Sequence, residues 1–189
     1  MCLRLTQFCN KLGKTSSVKK KTKQKKGHSS YGLPKVRYTP EWEILGKVEQ
    51  TKITKMTPQD VFLHATKHCE AQEFMKCYVG FQYFQDKYPS IVEGFTNAAV
   101  ALERLNEVER AKAMYKVAIE KFPESEKPLN SYINLLQMEA VHHFSVKAYK
   151  EAYQRYKEIV KLAPGIYDAW INLGNIEESK SKTSKHMYI

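Results

Sequence analysis

The 189-residue chain predicts an all-α fold made of successive helical hairpins. Three observations predict it. From Thr57 onward the apolar residues fall at helical spacing with almost no strand alternation. Three prolines, Pro89, Pro123 and Pro164, punctuate that stretch. Around them the same residue types recur: a small residue twelve positions before (Cys77, Ala111, Ala152), an aromatic eight before (Phe81, Tyr115, Tyr156) and a large apolar residue six after (Phe95, Leu129, Trp170). Recurrence at fixed offsets marks a repeated supersecondary unit.

The composition fits a packed interior. It is 42% apolar and 12% aromatic, which excludes a wholly disordered chain, and eight glycines and seven prolines exclude collagen or low complexity. No run approaches the ~18 apolar residues of a membrane-spanning helix. The net charge of +11 is confined to one end. Residues 1–38 hold eleven Lys or Arg and no acid, whereas 58–189 hold seventeen of each sign. A folded surface that grips nucleic acid is usually basic itself; here the excess sits on an appendage.

Taken in order, that appendage comes first. Lys14 to His28 reads KTSSVKKKTKQKKGH, with Val18 as its one sizeable apolar group. Such a segment cannot bury enough surface to offset its ordering entropy, so residues 1–38 are expected to form a disordered basic tail. Leu3, Leu5, Phe8 and Leu12 are spaced for a short amphipathic helix before the Lys run. Residues 39–57 read as a linker with a short helix, capped by Thr39, carrying Pro40 in its first turn and ending near Gly46. Trp42 then needs a surface to pack on, and folding back onto the first hairpin would supply it. Thr57-Pro58-Gln59-Asp60 is a good cap for a helix reaching about Glu70.

The repeating stretch, 58–180, resembles the tetratricopeptide repeat, whose pattern W-x2-L-G-x2-Y…A-x3-F…P spans 34 residues. The copy at 92–125 carries Phe95, Ala98, Ala99, Leu102, Ala111, Tyr115, Ala118 and Pro123. The copy at 58–91 is looser, keeping Val61, Ala65, Phe81 and Pro89 but placing His64 and His68 where Leu and Tyr belong. The resemblance implies a right-handed α-α superhelix, a short solenoid of about three and a half repeats. Its small residue lets paired helices approach, its aromatic fills the groove beneath, and its proline ends the second helix.

The third copy, 126–166, is elongated. Pro123 to Pro164 is 41 residues, seven more than the repeat. Seven residues turn a helix by about 700°, only ~20° short of two whole turns, so inner faces stay inward. The extra length is expected to be shared by helices at 127–143 and 146–162, with the junction near His142-His143-Phe144-Ser145. WINLGN at 170–175 begins a lone helix, 167–180, followed by a flexible 181–189. That helix either caps the third hairpin or offers its open face to another chain.

Little here carries catalytic chemistry. The chain has no Gly-rich phosphate loop and no GxSxG, HExxH or EF-hand pattern, and it reads as non-enzymatic. Cys2, Cys9, Cys69 and Cys77 are spaced by 7, 60 and 8, which matches no zinc or redox motif, so they read as reduced thiols of an intracellular protein. His64 and His68, with Cys69 and Cys77, form the one metal-like cluster, but the repeat pattern turns that face toward the second helix of its own pair. Packing is the preferred reading, with neither metal nor cofactor; His142-His143 reads as a helix end.

The resemblance also implies a groove. First helices line the concave side of such solenoids, which here places Gln59, Phe62, Thr66, Glu93, Thr96, Asn97, Val100, Glu103, Lys127, Asn130, Ile171 and Asn175 toward a partner peptide or helix. Some family members clamp acidic chaperone tails through Lys and Asn, then Asn, then Lys and Arg on three first helices. Asn97 and Lys127 match, but Phe62, Thr66 and Ser131 occupy the other places, too few donors for a carboxylate.

Lys19, Lys20, Lys21, Lys23, Lys25 and Lys26 resemble a basic nuclear-import signal and would also attract phosphate backbones. Without Arg or interleaved aromatics, no base reading follows. The expectation is a protein-binding module with a nuclear address, the cytoplasm and mitochondrion being alternatives. The rival reading is a nucleic-acid-associated protein held through its tail, with no membrane partner in either case.

Overall fold

A computed structural model describes residues 40–186, with side chains through Lys180. Every regular element among these residues is helical. A 3-10 helix (Pro40–Leu45) leads into α1 (Gly46–Ile53), α2 (Pro58–Glu70), α3 (Phe74–Lys87), α4 (Val92–Arg104), α5 (Val108–Lys121), α6 (Glu126–Ser145), α7 (Tyr149–Leu162) and α8 (Tyr167–His186). The chain divides into two compact units at Ser125/Glu126. No helix of the described residues is long and apolar enough to cross a membrane.

In the first unit α2 packs on α3, α3 on α4 and α4 on α5, while α1 meets the 3-10 helix. Helix α3 also meets the 3-10 helix, and three neighbours explain why Cys77 through Gln85 is buried without a break. Trp42 supplies that lid, stacking on Tyr83 with ring centroids 5.5 Å apart. The short helix ends at Leu45, next to Gly46 as expected, but the linker does not stop there: Gly46, at φ 69, turns the chain from the 3-10 helix into α1, a second helix the sequence reading missed. Thr39 lies outside the described residues. Thr57 caps α2 as expected, accepting from the Asp60 amide at 3.2 Å.

The recurring residues fill the interior. Cys77, Ala111 and Ala152 are buried, as are Phe81, Tyr115 and Tyr156 four residues later. Where small residues face each other the helices close in. A Cβ placed on Gly80 of α3 would lie 2.8 Å from the Ala65 Cβ of α2.

The turns inside the hairpins repeat as well. Gln72, Asn106 and Lys147 adopt the left-handed conformation at φ 61, 61 and 62. After each, the next amide (Glu73, Glu107, Ala148) reaches back to the carbonyl five residues earlier (His68, Leu102, His143) at 2.9, 2.9 and 2.8 Å. This closes the helix end in a Schellman turn, which ordinarily uses glycine because a Cβ strains the left-handed residue. Lys147→Gly is therefore expected to raise stability by about 0.5–1 kcal/mol, and Asn106→Gly by less, since Asn tolerates the conformation. Chemical denaturation checks both.

In the second unit α6 packs on α7 and α7 on α8. The elongation is not shared between two helices. Helix α6 has 20 residues against 13 in α4, whereas α7 has 14, the length of α3 and α5. All seven extra residues lie in α6, because the left-handed stop falls at Lys147 and nothing before it breaks the helix. The added turns leave Met138, Val141 and Phe144 exposed. Inside, the Tyr132 hydroxyl donates to Glu158 at 2.6 Å, and Arg155 pairs with Glu139 at 3.2 Å, so the α6–α7 seam is partly polar. Burial and the Glu158 carboxylate push the Tyr132 phenol well above its ordinary range.

One expectation about the last helix needs correction. It does not end at Lys180, since α8 runs to His186 through part of the segment expected to be flexible. Trp170, whose burial the sequence left open, does not key the interior. It is 52% exposed, its indole N–H donating to the Pro164 carbonyl at 3.0 Å, while Ala169 and Ile176 are the buried residues of α8. Helix α8 packs on α7.

Candidate functional site

The residues placed on first helices are a mixed set in the structure. In the first unit, Phe62 is half-buried and packs edge-on against Phe81 and Phe84, with centroids 5.3 and 5.6 Å away. It serves the core of its own hairpin as much as any surface. Thr66 and Thr96 are half-buried and spend their hydroxyls on their own helices, donating to the Phe62 and Val92 carbonyls at 2.9 and 3.1 Å. Asn97 is half-buried and Val100 exposed. In the second unit, Lys127 and Asn130 on α6 and Ile171 and Asn175 on α8 are all exposed, Ile171 at 60%. Lys19, Lys20, Lys21, Lys23, Lys25 and Lys26 lie outside the described residues.

The denser cluster of chemistry is elsewhere, around α1 and α2. His64 and His68 are four residues apart, so both rings leave the same face of α2. That face does not turn only toward α3, as expected. Glu49 of α1 reaches it, setting one carboxylate oxygen, Oε1, 3.1 Å from His64 Nε2 and 2.8 Å from His68 Nε2. The second ring nitrogen of His68, Nδ1, lies 2.5 Å from Glu73 at the start of α3, and Lys76 holds the other oxygen of Glu73 at 2.9 Å. His64 Nδ1 is buried and takes no hydrogen-bond partner. The donor atoms of Glu49, His64 and His68 all lie within 4.8 Å of one another. An open cleft lined by Leu45, Lys47, Val48, Glu49, Lys52 and His64 reaches the cluster.

The electrostatics of this cluster are uneven. Burial, and then the neighbouring His68, lower the His64 pKa below the ordinary imidazole range, against a smaller pull upward from Glu49. Hydrogen bonds from Lys76 and His68 hold Glu73 below the usual carboxylate range. His64 is thus held as the neutral base and Glu73 as the anion.

The sequence reading grouped Cys69 and Cys77 with these histidines as reduced thiols. In the structure they are bonded to each other as a disulfide with Cα atoms 5.0 Å apart, tying α2 to α3. Hairpin formation brings residues eight apart in sequence into register across the turn, which spacing alone does not reveal. A disulfide belongs to oxidising surroundings. The cysteines therefore lend no support to a reducing compartment, and the Lys run alone carries the intracellular expectation.

Sequence reasoning missed Glu49 and Glu73. Glu49 lies in a stretch read as linker, and only the helix built there carries it over α2. Glu73 follows the left-handed Gln72, and that turn aims it back at His68. His64 and His68 displacing Leu and Tyr was the legible signal. Comparison of the chain with models of known protein families finds no match, and comparison with curated proteins finds none. What the fold defines is an all-helical protein of sequential hairpins.

Proposed function

We propose that the chain is a non-catalytic protein-interaction module of tetratricopeptide type. Its first helices receive a peptide or helical segment of a partner, and its Lys-rich tail addresses the module to an import receptor or to anionic surfaces. Support for the repeat assignment comes from the three Schellman turns, spaced 34 and 41 residues apart, and from the buried small and aromatic residues, set four apart, that follow each of them. The observation that carries the binding reading is the exposed mixture on α6 and α8 of the second unit. Ile171 offers an apolar anchor, while Asn130 and Asn175 offer amides that can bond a backbone.

The test is affinity capture from cell extract with the intact chain, with residues 1–38 removed, and with Ile171→Asp, each at two salt concentrations. A partner that survives tail removal and high salt but is lost from the Asp variant supports the module. Loss of all binding on tail removal, with steep salt dependence, supports the rival instead: a nucleic-acid-associated protein held by Lys–phosphate contacts.

A further inference from the structure

We propose that Glu49, His64 and His68 form a binding site for one divalent transition-metal ion of the zinc class. The donor set is a carboxylate and two imidazoles, a combination that such ions take in three-ligand sites. The spacing fits too. Two ligands about 2.0–2.1 Å from a tetrahedral ion stand roughly 3.3–3.4 Å apart. Glu49 Oε1 stands 3.1 and 2.8 Å from the two Nε2 atoms and all three donors lie within 4.8 Å of one another, so an ion would push Glu49 slightly away from each ring and draw the two imidazoles together.

The surroundings add two further features. Metal-bound histidines commonly pass their other N–H to a carboxylate, which orients the ring and strengthens the ligand. His68 does this, with Nδ1 at 2.5 Å from Glu73, itself fixed by Lys76. If that N–H belongs to Nδ1, neutral His68 turns its Nε2 lone pair on the Glu49 oxygen, and the two repel. Something positive must lie between them, either a proton or a metal ion. His64 directs Nε2 at the same oxygen, and a single ion reached by all three donors settles both contacts at once.

The site would also tie α1 to the first hairpin, whose own helices α2 and α3 are already packed and disulfide-bonded. Glu49 comes from α1, both histidines from α2, and the supporting Glu73 from the start of α3. The cleft beside Glu49, Lys52 and His64 leaves a fourth coordination position to water or to a donor from a partner. The ion would thus clamp α1 onto the first hairpin while staying open on one side.

The experiment is cobalt(II) titration of the full chain, with its Cys69–Cys77 disulfide intact, at neutral pH, with zinc(II) as competitor. Helix content by circular dichroism serves as the folding control. The expected result is one cobalt ion per chain, with the visible absorption of a tetrahedral nitrogen–oxygen site and no thiolate charge-transfer band, displaced by zinc. Glu49→Gln and His64→Ala should each weaken binding at least tenfold, and Glu73→Gln by about 10–100-fold through its loss of support to His68. Zinc should also raise the melting temperature of the unmodified chain, a readout needing no variant. The proposal is overturned by thiolate bands, which would place the ion on Cys2 and Cys9, or by equal affinity in the Glu49 and His64 variants. Absence of metal uptake also overturns it.

Discussion

Tyr115→Ala is expected to lower the unfolding free energy by about 3–5 kcal/mol, the usual cost of deleting a large buried aromatic side chain. The Tyr115 ring is fully buried between α4 and α5, where it occupies the space left by the small residue Ala111 one turn earlier. Deletion removes its transfer free energy and leaves a cavity that helices pinned at both ends cannot close. Its hydroxyl donates to Glu103, whose carboxyl is raised above its ordinary pKa by burial and drawn partly back by this bond. Tyr115→Phe separates the two contributions. It should cost about 1 kcal/mol, because half-buried Glu103 can turn to water. Urea denaturation reads both variants as shifts of midpoint at constant slope. Domains of this size have some 5–15 kcal/mol in hand, so the alanine variant should sit close to unfolding. A loss below about 1 kcal/mol would show that the ring does not fill the seam between these helices.

Gly80→Leu is expected to cost about 3 kcal/mol or more. The added Cβ would lie 2.8 Å from the Ala65 Cβ and 3.2 Å from the Ala65 Cα, so relief requires the α2 backbone itself to move. Gly80→Ala tests the contact with less disruption. Helix propensity favours alanine by about 1 kcal/mol, yet the variant should still be less stable, because crowding outweighs propensity. Ala65→Gly in the same chain opens the space and should recover most of the loss, a coupling that a double-mutant cycle measures. Gly174 in α8 is the control. A Cβ there meets nothing within 4 Å, so Gly174→Ala should stabilise by up to about 1 kcal/mol. Equal effects at Gly80 and Gly174 would mean that α2 and α3 are not in close contact.

Much of the interior was readable from residue types because packing imposes a local rule. A helix that must approach another closely carries Cys77, Ala111 or Ala152 at the crossing, and an aromatic one turn later fills what remains. Such positions report on the two helices of one hairpin, and their spacing survives in the linear sequence. The seven-residue excess between Pro123 and Pro164 was equally visible, but its placement was not. The helix end depends on which residue accepts a left-handed turn, and Lys147 is not a residue that sequence reasoning would choose. Trp170 was undecided in the sequence. Its burial depended on whether a neighbour lay on that side of α8, and among the described helices α8 packs chiefly on α7.

The candidate site was half legible. His64 and His68 stood out as polar residues where the pattern wants Leu and Tyr, and their four-residue spacing set them on one face. Nothing in the sequence indicated which element would meet that face.

The chain's own residues thus determined helical class, hairpin boundaries near the prolines, and the small-and-aromatic core of each pair, since these follow from contacts between helices adjacent in sequence. The tertiary structure alone decided that Glu49 reaches His64 and His68, that Cys69 meets Cys77, and that Trp170 stays in water. Those outcomes depend on how α1, the hairpin turn and the last helix are placed, and a side chain's partner across such a junction is set by backbone direction, which spacing along the chain does not encode.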